Sequence, residues 1–220
     1  MTRTSLPIAV ALAVSAGLLL TACGGSGSNS DKSTSSAPAP TSAAPTTTAP
    51  PTQAAGPGAP KFDLPPDITI AFNGFGSTDP KAKDALRDAK YAATAILEAE
   101  SQIRTAETPN VKRYFDGLQG AKLADSVINY GKSGNVATGT YRYYQPTVKA
   151  NGGAGTLTVS YCEDQRKAYD KNAKTGKVHV TTPSLQDFRA WTFAMHKDSA
   201  GDWQVYEYKW LQGAKQCQVA

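Results

Sequence analysis

The sequence predicts an α+β domain in which helices pack on one face of a curved antiparallel sheet. Apolar residues recur at helical spacing between Pro80 and Tyr130, and the period changes to two from Val136 onward. Turn residues then divide the second half into hairpins. Helices first and a run of strands afterwards is an α+β layout.

Each element has its own signal. In the lead-in segment, residues 61–78, Asp67-Ile68-Thr69-Ile70-Ala71-Phe72 alternates like a short strand, and Asn73-Gly74-Phe75-Gly76 reads as a turn. Ser77-Thr78-Asp79-Pro80 is a helix start, with Asp79 as N-cap and Pro80 at the first helical position. Leu86, Ala89, Ala93, Ile96 and Ile103 share one face of that helix, whose end is predicted near Thr105. Thr108-Pro109 opens a second helix, which places Val111, Tyr114, Phe115 and Leu118 on one side and is expected to break at Gly117 and Gly120. A third helical piece spans 121–130 and ends at Gly131.

The first long strand is predicted over 136–149 and carries Tyr141, Tyr143 and Tyr144. Asn151-Gly152-Gly153 is a hairpin turn. The return strand covers 155–162, with Leu157, Val159 and Tyr161 on one face. The charged run from Glu163 through Lys177 reads as a solvated loop with Lys174-Thr175-Gly176-Lys177 as its turn, followed by a short strand at 178–180. Segments 188–196 and 203–210 form a last hairpin across 198–202.

Ahead of the domain stands a different kind of sequence. Thr2-Arg3-Thr4 is a short basic start, residues 6–20 are an apolar run, and Leu20-Thr21-Ala22-Cys23 leads into Gly, Ser, Thr and Pro. The stretch resembles a bacterial lipoprotein signal, whose lipobox places Cys directly after an apolar and two small residues. The resemblance implies that residues 1–22 are a signal peptide and that Cys23 becomes a diacylglyceryl thioether and the new N-terminus. It further implies a cell-membrane protein, lipid-anchored on the extracytoplasmic face, with the membrane as its first partner. Two acyl chains hold what one chain binds only marginally. Two readings compete: a retained membrane helix, although Ser15 and Gly17 interrupt a short apolar core, and an ordinary thiol after a conventional cleavage site.

Residues 23–60 are almost wholly Gly, Ser, Thr, Ala and Pro, too poor in apolar groups to repay ordering. They read as a disordered tether whose ends as a flexible coil lie roughly 35 Å apart. Residues 61–220 then form one domain. The formal net charge of +5 is spread along the chain, without an arginine cluster or basic helix. That pattern argues against a nucleic-acid partner and leaves weak attraction to anionic lipid or wall polymer. With Cys23 assigned to lipid, Cys162 and Cys217 remain, and two cysteines in an exported domain read as one disulfide, the alternative being two buried thiols.

Asn135-Val136-Ala137-Thr138-Gly139-Thr140 enters the first long strand, Val159-Ser160-Tyr161-Cys162 lies in the next, and Asp202-Trp203-Gln204-Val205 starts the last. On these segments the chain resembles the nuclear transport factor 2-like fold, also called SnoaL-like or cystatin-like, over about 80–220. With the lipobox and tether, it is similar to secreted SnoaL-like lipoproteins of actinobacteria. The resemblance implies a cone-shaped shell with a pocket at its open end. It implies no single activity, since the shell hosts isomerases, dehydratases and binding modules.

Few residues offer chemistry. Gly131-Lys132-Ser133 matches the end of a P-loop, but Ser126 stands where that motif needs Gly, so the tripeptide reads as a helix C-cap. His179 and His196 have no ligand-spaced partner, so no metal and no cofactor is predicted. Acid–base chemistry would need His196 with Tyr141 or Tyr143, and no Asp lies within the apolar strand stretches. Tyr206 and Tyr208, of opposite parity to Trp203, join these three as candidates for a pocket or partner surface. The expected function is therefore a non-catalytic binding module for a small apolar ligand or an envelope protein. A small isomerase or dehydratase and a regulatory or structural partner of a membrane protein are the alternatives.

Overall fold

The computed structural model describes residues 58–102, 107–152 and 155–219. The signal peptide, Cys23, nearly all of the tether, Ile103 with the helix end near Thr105, and Gly153 lie outside the described residues. The elements are β1 (Ile68–Phe72), α1 (Pro80–Glu100), α2 (Pro109–Tyr114), α3 (Gly117–Gly131), β2 (Asn135–Ala150), β3 (Thr156–Asn172), β4 (Val178–His179), β5 (Phe188–Lys197) and β6 (Trp203–Gln212).

Asp79 caps α1 by accepting from the Lys81 backbone N–H at 2.9 Å, with Pro80 at the first helical position. Ala85, Ala89, Ala92 and Ala93 give the helix a flat buried face, and Leu86, Ile96 and Leu97 fill the space between it and the sheet. Two buried carboxylates tie neighbours to α1. Asp88 accepts from the Trp203 backbone N–H at 2.9 Å, and Glu98 accepts from the Asp63 N–H at 2.8 Å and from Asn110 Nδ2 at 3.0 Å. Such groups are costly to bury unless fully hydrogen-bonded, so they fix the lead-in segment, α2 and β6 in place.

Gly117 and Gly120 do not break a helix. The second helix stops at Tyr114, and Asp116 caps a new one by accepting from the Gln119 N–H at 3.0 Å, so both glycines fall in the first turn of α3. The restart also turns Leu118 away from the core: it is 66% exposed, whereas Val111, Tyr114 and Phe115 are buried.

The strands form a sheet of order β1-β2-β3-β5-β6, with β4 paired to β3. The antiparallel expectation requires one correction. β1 pairs parallel to β2, because the chain crosses through three helices before it returns. The expected charged loop is corrected as well, since β3 continues through Asn172 and stays paired with β2 along that length. The charges are accommodated one by one. Asp164 accepts from Arg142 and Arg166 at 3.1 and 2.9 Å. Burial alone would raise its carboxyl, but the Arg166 hydrogen bonds hold it below the ordinary carboxylate range.

The register of β2 on β3 shifts at Thr140/Arg142 and again at Tyr144/Thr147, where Gln145 has φ 52°. Such bulges bend the long strands and curve the sheet. Gly139 allows the tightest approach: its φ is 93°, and a Cβ there would stand 2.2 Å from the Lys167 carbonyl oxygen.

The helix-facing side of the sheet carries Tyr141, Tyr143, Val159, Tyr161, Trp191, Phe193, Met195, Trp203 and Val205 in one core with the helices. On the other face a smaller cluster gathers Tyr144, Cys162, Phe188, Ala214 and Cys217. Here a disulfide joins Cys162 to Cys217 with Cα atoms 5.3 Å apart, and the Tyr144 hydroxyl donates to the Cys217 carbonyl. The C-terminal tail is thereby held against the back of the sheet.

Candidate functional site

Register brings Tyr143, Glu163 and Arg189 into one row across β2, β3 and β5, and Tyr161 pairs with Trp191 two residues further along. Alternation sends all five side chains to the helix-facing side. Glu100, the last residue of α1, stands one helical turn beyond Ile96 and reaches the same region.

Two adjoining cavities lie here. The inner one, about 10 Å³, is lined by Ile96, Glu100, Tyr143, Tyr161, Glu163, Arg189 and Trp191 among others. It has space for about one water molecule. The outer one, about 230 Å³, is lined by Glu100, Tyr130, Tyr141, Tyr169, Asp170, His179 and Arg189 among others. Glu100, Gln165 and Arg189 line both.

The polar groups differ in how far the protein satisfies them. Glu163, only 2% exposed, accepts from Trp191 Nε1 at 2.7 Å and stands opposite Tyr143 in the β2–β3 register. Asp170 accepts from the Tyr130 hydroxyl at 2.6 Å. Arg189 lies over the Trp210 ring, 5.0 Å from its centroid, and its buried Nε has no hydrogen-bond partner; among the described residues no carboxylate pairs with it. The Tyr161 hydroxyl is also buried without a partner.

Glu100 is the group whose charge state the site changes most usefully. The residue is half-buried and lines both cavities. Burial raises that carboxyl to about 7, with Glu163 and Asp170 adding to the rise and Arg189 opposing it. Its place at the C-terminal end of α1, where the helix dipole disfavours negative charge, acts in the same direction. Tyr143 and Tyr161 are pushed well above the ordinary phenol value by burial, so both remain neutral donors at any physiological pH.

Of the five candidates read from sequence, the structure brings two to this place. Tyr141 lines the outer cavity and Tyr143 the inner. His196 and Tyr206 stack on each other, centroids 5.4 Å apart, on the opposite face of the sheet. Tyr208 faces the helices and meets Phe115 edge-on at 6.0 Å. The parity that grouped Tyr206 with Tyr208 fails because the β5–β6 register shifts between Ala194 and Met195, which pair with Glu207 and Val205. Tyr206 is the extra residue, and beyond it inward and outward positions exchange.

Glu100, Glu163, Asp170 and Arg189 were not among the sequence candidates. Helical spacing from Ala93 and Ile96 reaches Glu100, and the alternation of Leu157, Val159 and Tyr161 continues to Glu163, so a signal was present for both. Nothing local marks Arg189, whose significance depends on strand pairing.

No family model and no curated protein matches the chain. Among solved structures it is similar to a ketosteroid isomerase-like protein from Erwinia carotovora atroseptica, at 18% identity and TM-score 0.42, over 61% of this chain and 97% of that one. It is also similar to a ketosteroid isomerase candidate from Shewanella frigidimarina, at 13% identity and TM-score 0.34, over 64% and 100% of the two chains. A de novo designed β-sheet protein aligns at 12% identity and TM-score 0.34, over 60% and 93%. The mixed helix and curved-sheet architecture itself rests on the strand order and register above.

Proposed function

We propose that this chain is an extracytoplasmic lipoprotein with a SnoaL-like domain, anchored by a diacylated Cys23, and that the domain is a ligand-binding module. The anchor rests on the Leu20-Thr21-Ala22-Cys23 pattern. Cys23→Ser is expected to release the protein from the membrane fraction or leave an unprocessed precursor; unchanged partitioning into the detergent phase would defeat the anchor.

The binding reading rests chiefly on Arg189, a cavity-lining guanidinium whose buried Nε has no internal partner. Structural arginines in folded domains are normally paired, and an unpaired one facing a cavity is poised for something from outside. The small outer cavity suits a ligand below drug size. A fragment screen by ligand-observed NMR should yield binders that are lost in Arg189→Met. Binders indifferent to that substitution would refute the assignment of the pocket.

Acid–base catalysis is the second reading, favoured by the Glu100 carboxyl at about 7, since a group that half-titrates near neutral pH exchanges protons efficiently in both directions. Turnover of a bound fragment that disappears in Glu100→Gln, with binding kept, would select it.

A further inference from the structure

We propose that the outer cavity binds a small organic carboxylate, gripped by the Arg189 guanidinium and by the Glu100 carboxyl acting as a hydrogen-bond donor, so that binding takes up a proton. The inference rests on the pocket-binding reading above and adds the chemistry of the ligand.

The choice between a cationic and an anionic ligand turns on which groups still have hydrogen-bonding capacity to offer. The acidic residues outnumber the basic ones around the cavities, yet most are already engaged. Glu163 is held by Trp191, and Asp170 by Tyr130. Arg189 is not: its guanidinium lies over Trp210, its buried Nε has no hydrogen-bond partner, and the residue lines the cavity. A planar fork of N–H donors matches a carboxylate, which can accept two parallel hydrogen bonds.

Glu100 lines the same cavity, and an ionised Glu100 would repel such a ligand. Two carboxyl groups confined to one site resolve that conflict by sharing a proton. The surroundings already favour the protonated form: burial first, then Glu163 and Asp170 from β3, raise Glu100 to about 7 against the pull of Arg189 from β5. Tyr141 and Tyr143 from β2, Tyr161 and Tyr169 from β3, Tyr130 from α3 and His179 from β4 also line the cavities that Glu100 faces, and Tyr208 lies within electrostatic reach from β6. A ligand carboxylate arriving beside Arg189 drives the remaining fraction of Glu100 to its neutral form. The proton comes from solvent and resides on Glu100; no covalent bond changes in the ligand.

The test uses three probes with one ring and three charges: benzoate, benzyl alcohol and benzylamine. Each is titrated calorimetrically into the full-length protein in mild detergent between pH 6 and pH 8, in buffers of different ionisation enthalpy. Benzoate should bind at least tenfold more tightly than the other two, and its affinity should fall about tenfold from pH 6 to pH 8 as Glu100 ionises. At pH 7 binding should take up about half a proton. Glu100→Gln should bind benzoate with no pH dependence and no proton uptake, whereas Arg189→Met should lose binding. His179→Gln should keep the pH dependence, which excludes that residue as its source.

Benzoate affinity that is flat with pH in the wild type, or unchanged in Arg189→Met, overturns the inference. Benzylamine or benzyl alcohol binding preferentially, and being lost in Arg189→Met, overturns the carboxylate and leaves the pocket reading standing. If none of the three binds and the indole N–H signals of Trp191 and Trp210 stay unmoved, both fall.

Discussion

Replacing Glu100 by Gln should make the protein more stable, and more so as pH rises. In the unfolded chain this carboxyl titrates at its ordinary value, 4.5, and in the folded protein at about 7. Between those values the folded state binds more protons than the unfolded state, so this group makes stability fall as pH rises. Its penalty is absent below about pH 4.5, grows through pH 7 and is constant above. A rise of this size corresponds to at most about 3 kcal/mol, and solvent reaching the outer cavity reduces it. Gln has the same shape and never ionises, so Glu100→Gln should stabilise by less than about 1 kcal/mol at pH 5 and by about 1–3 kcal/mol at pH 8. Urea unfolding of both proteins at the two pH values measures the difference directly. An equal effect at pH 5 and pH 8 would show that Glu100 ionises normally, and the charge argument for the pocket would go with it.

Gly139→Ala should cost several kcal/mol, because it combines a φ of 93° with a Cβ 2.2 Å from a backbone oxygen; a melting temperature within 2 °C of wild type by circular dichroism, on the order of measurement scatter, would contradict the bend at that residue. Replacing Cys162 and Cys217 together by Ala removes a cross-link between positions 55 residues apart. The chain-entropy model gives a loss of up to about 4 kcal/mol, read as a lower urea midpoint, with the helical signal kept below the transition. Trp191→Phe takes the 2.7 Å donor from buried Glu163 and should destabilise by about 1–3 kcal/mol; a smaller loss in Glu163→Gln/Trp191→Phe than the two single losses combined would identify that bond as the cause.

The elements with the most local information were the most legible. Asp79-Pro80 and Thr108-Pro109 start their helices by a side-chain cap and a fixed proline φ, neither of which needs the rest of the molecule. The alternation of Leu157, Val159 and Tyr161 states which side of β3 faces the core, because side chains alternate strictly wherever pairing is regular. At Asp116 the same reasoning failed, since a cap can restart a helix in a new direction and send Leu118 outward.

The sequence by itself determined the α+β order of elements, the helix starts, most of the strand faces and the N-terminal pattern ending in Cys23. Tertiary structure alone decided that β1 lies parallel to β2, that Glu163 is buried, and that the bulge at Tyr206 exchanges the faces of β6. It alone put Glu100 from the end of a helix beside Arg189 from a strand 89 positions later. The reason is physical. Caps, prolines and alternation act over a few residues, whereas a pocket is made by side chains whose spacing in the chain carries no record of their distance in space. Strand register and the field of neighbouring charges give such residues their chemistry, and both exist only once the chain has folded.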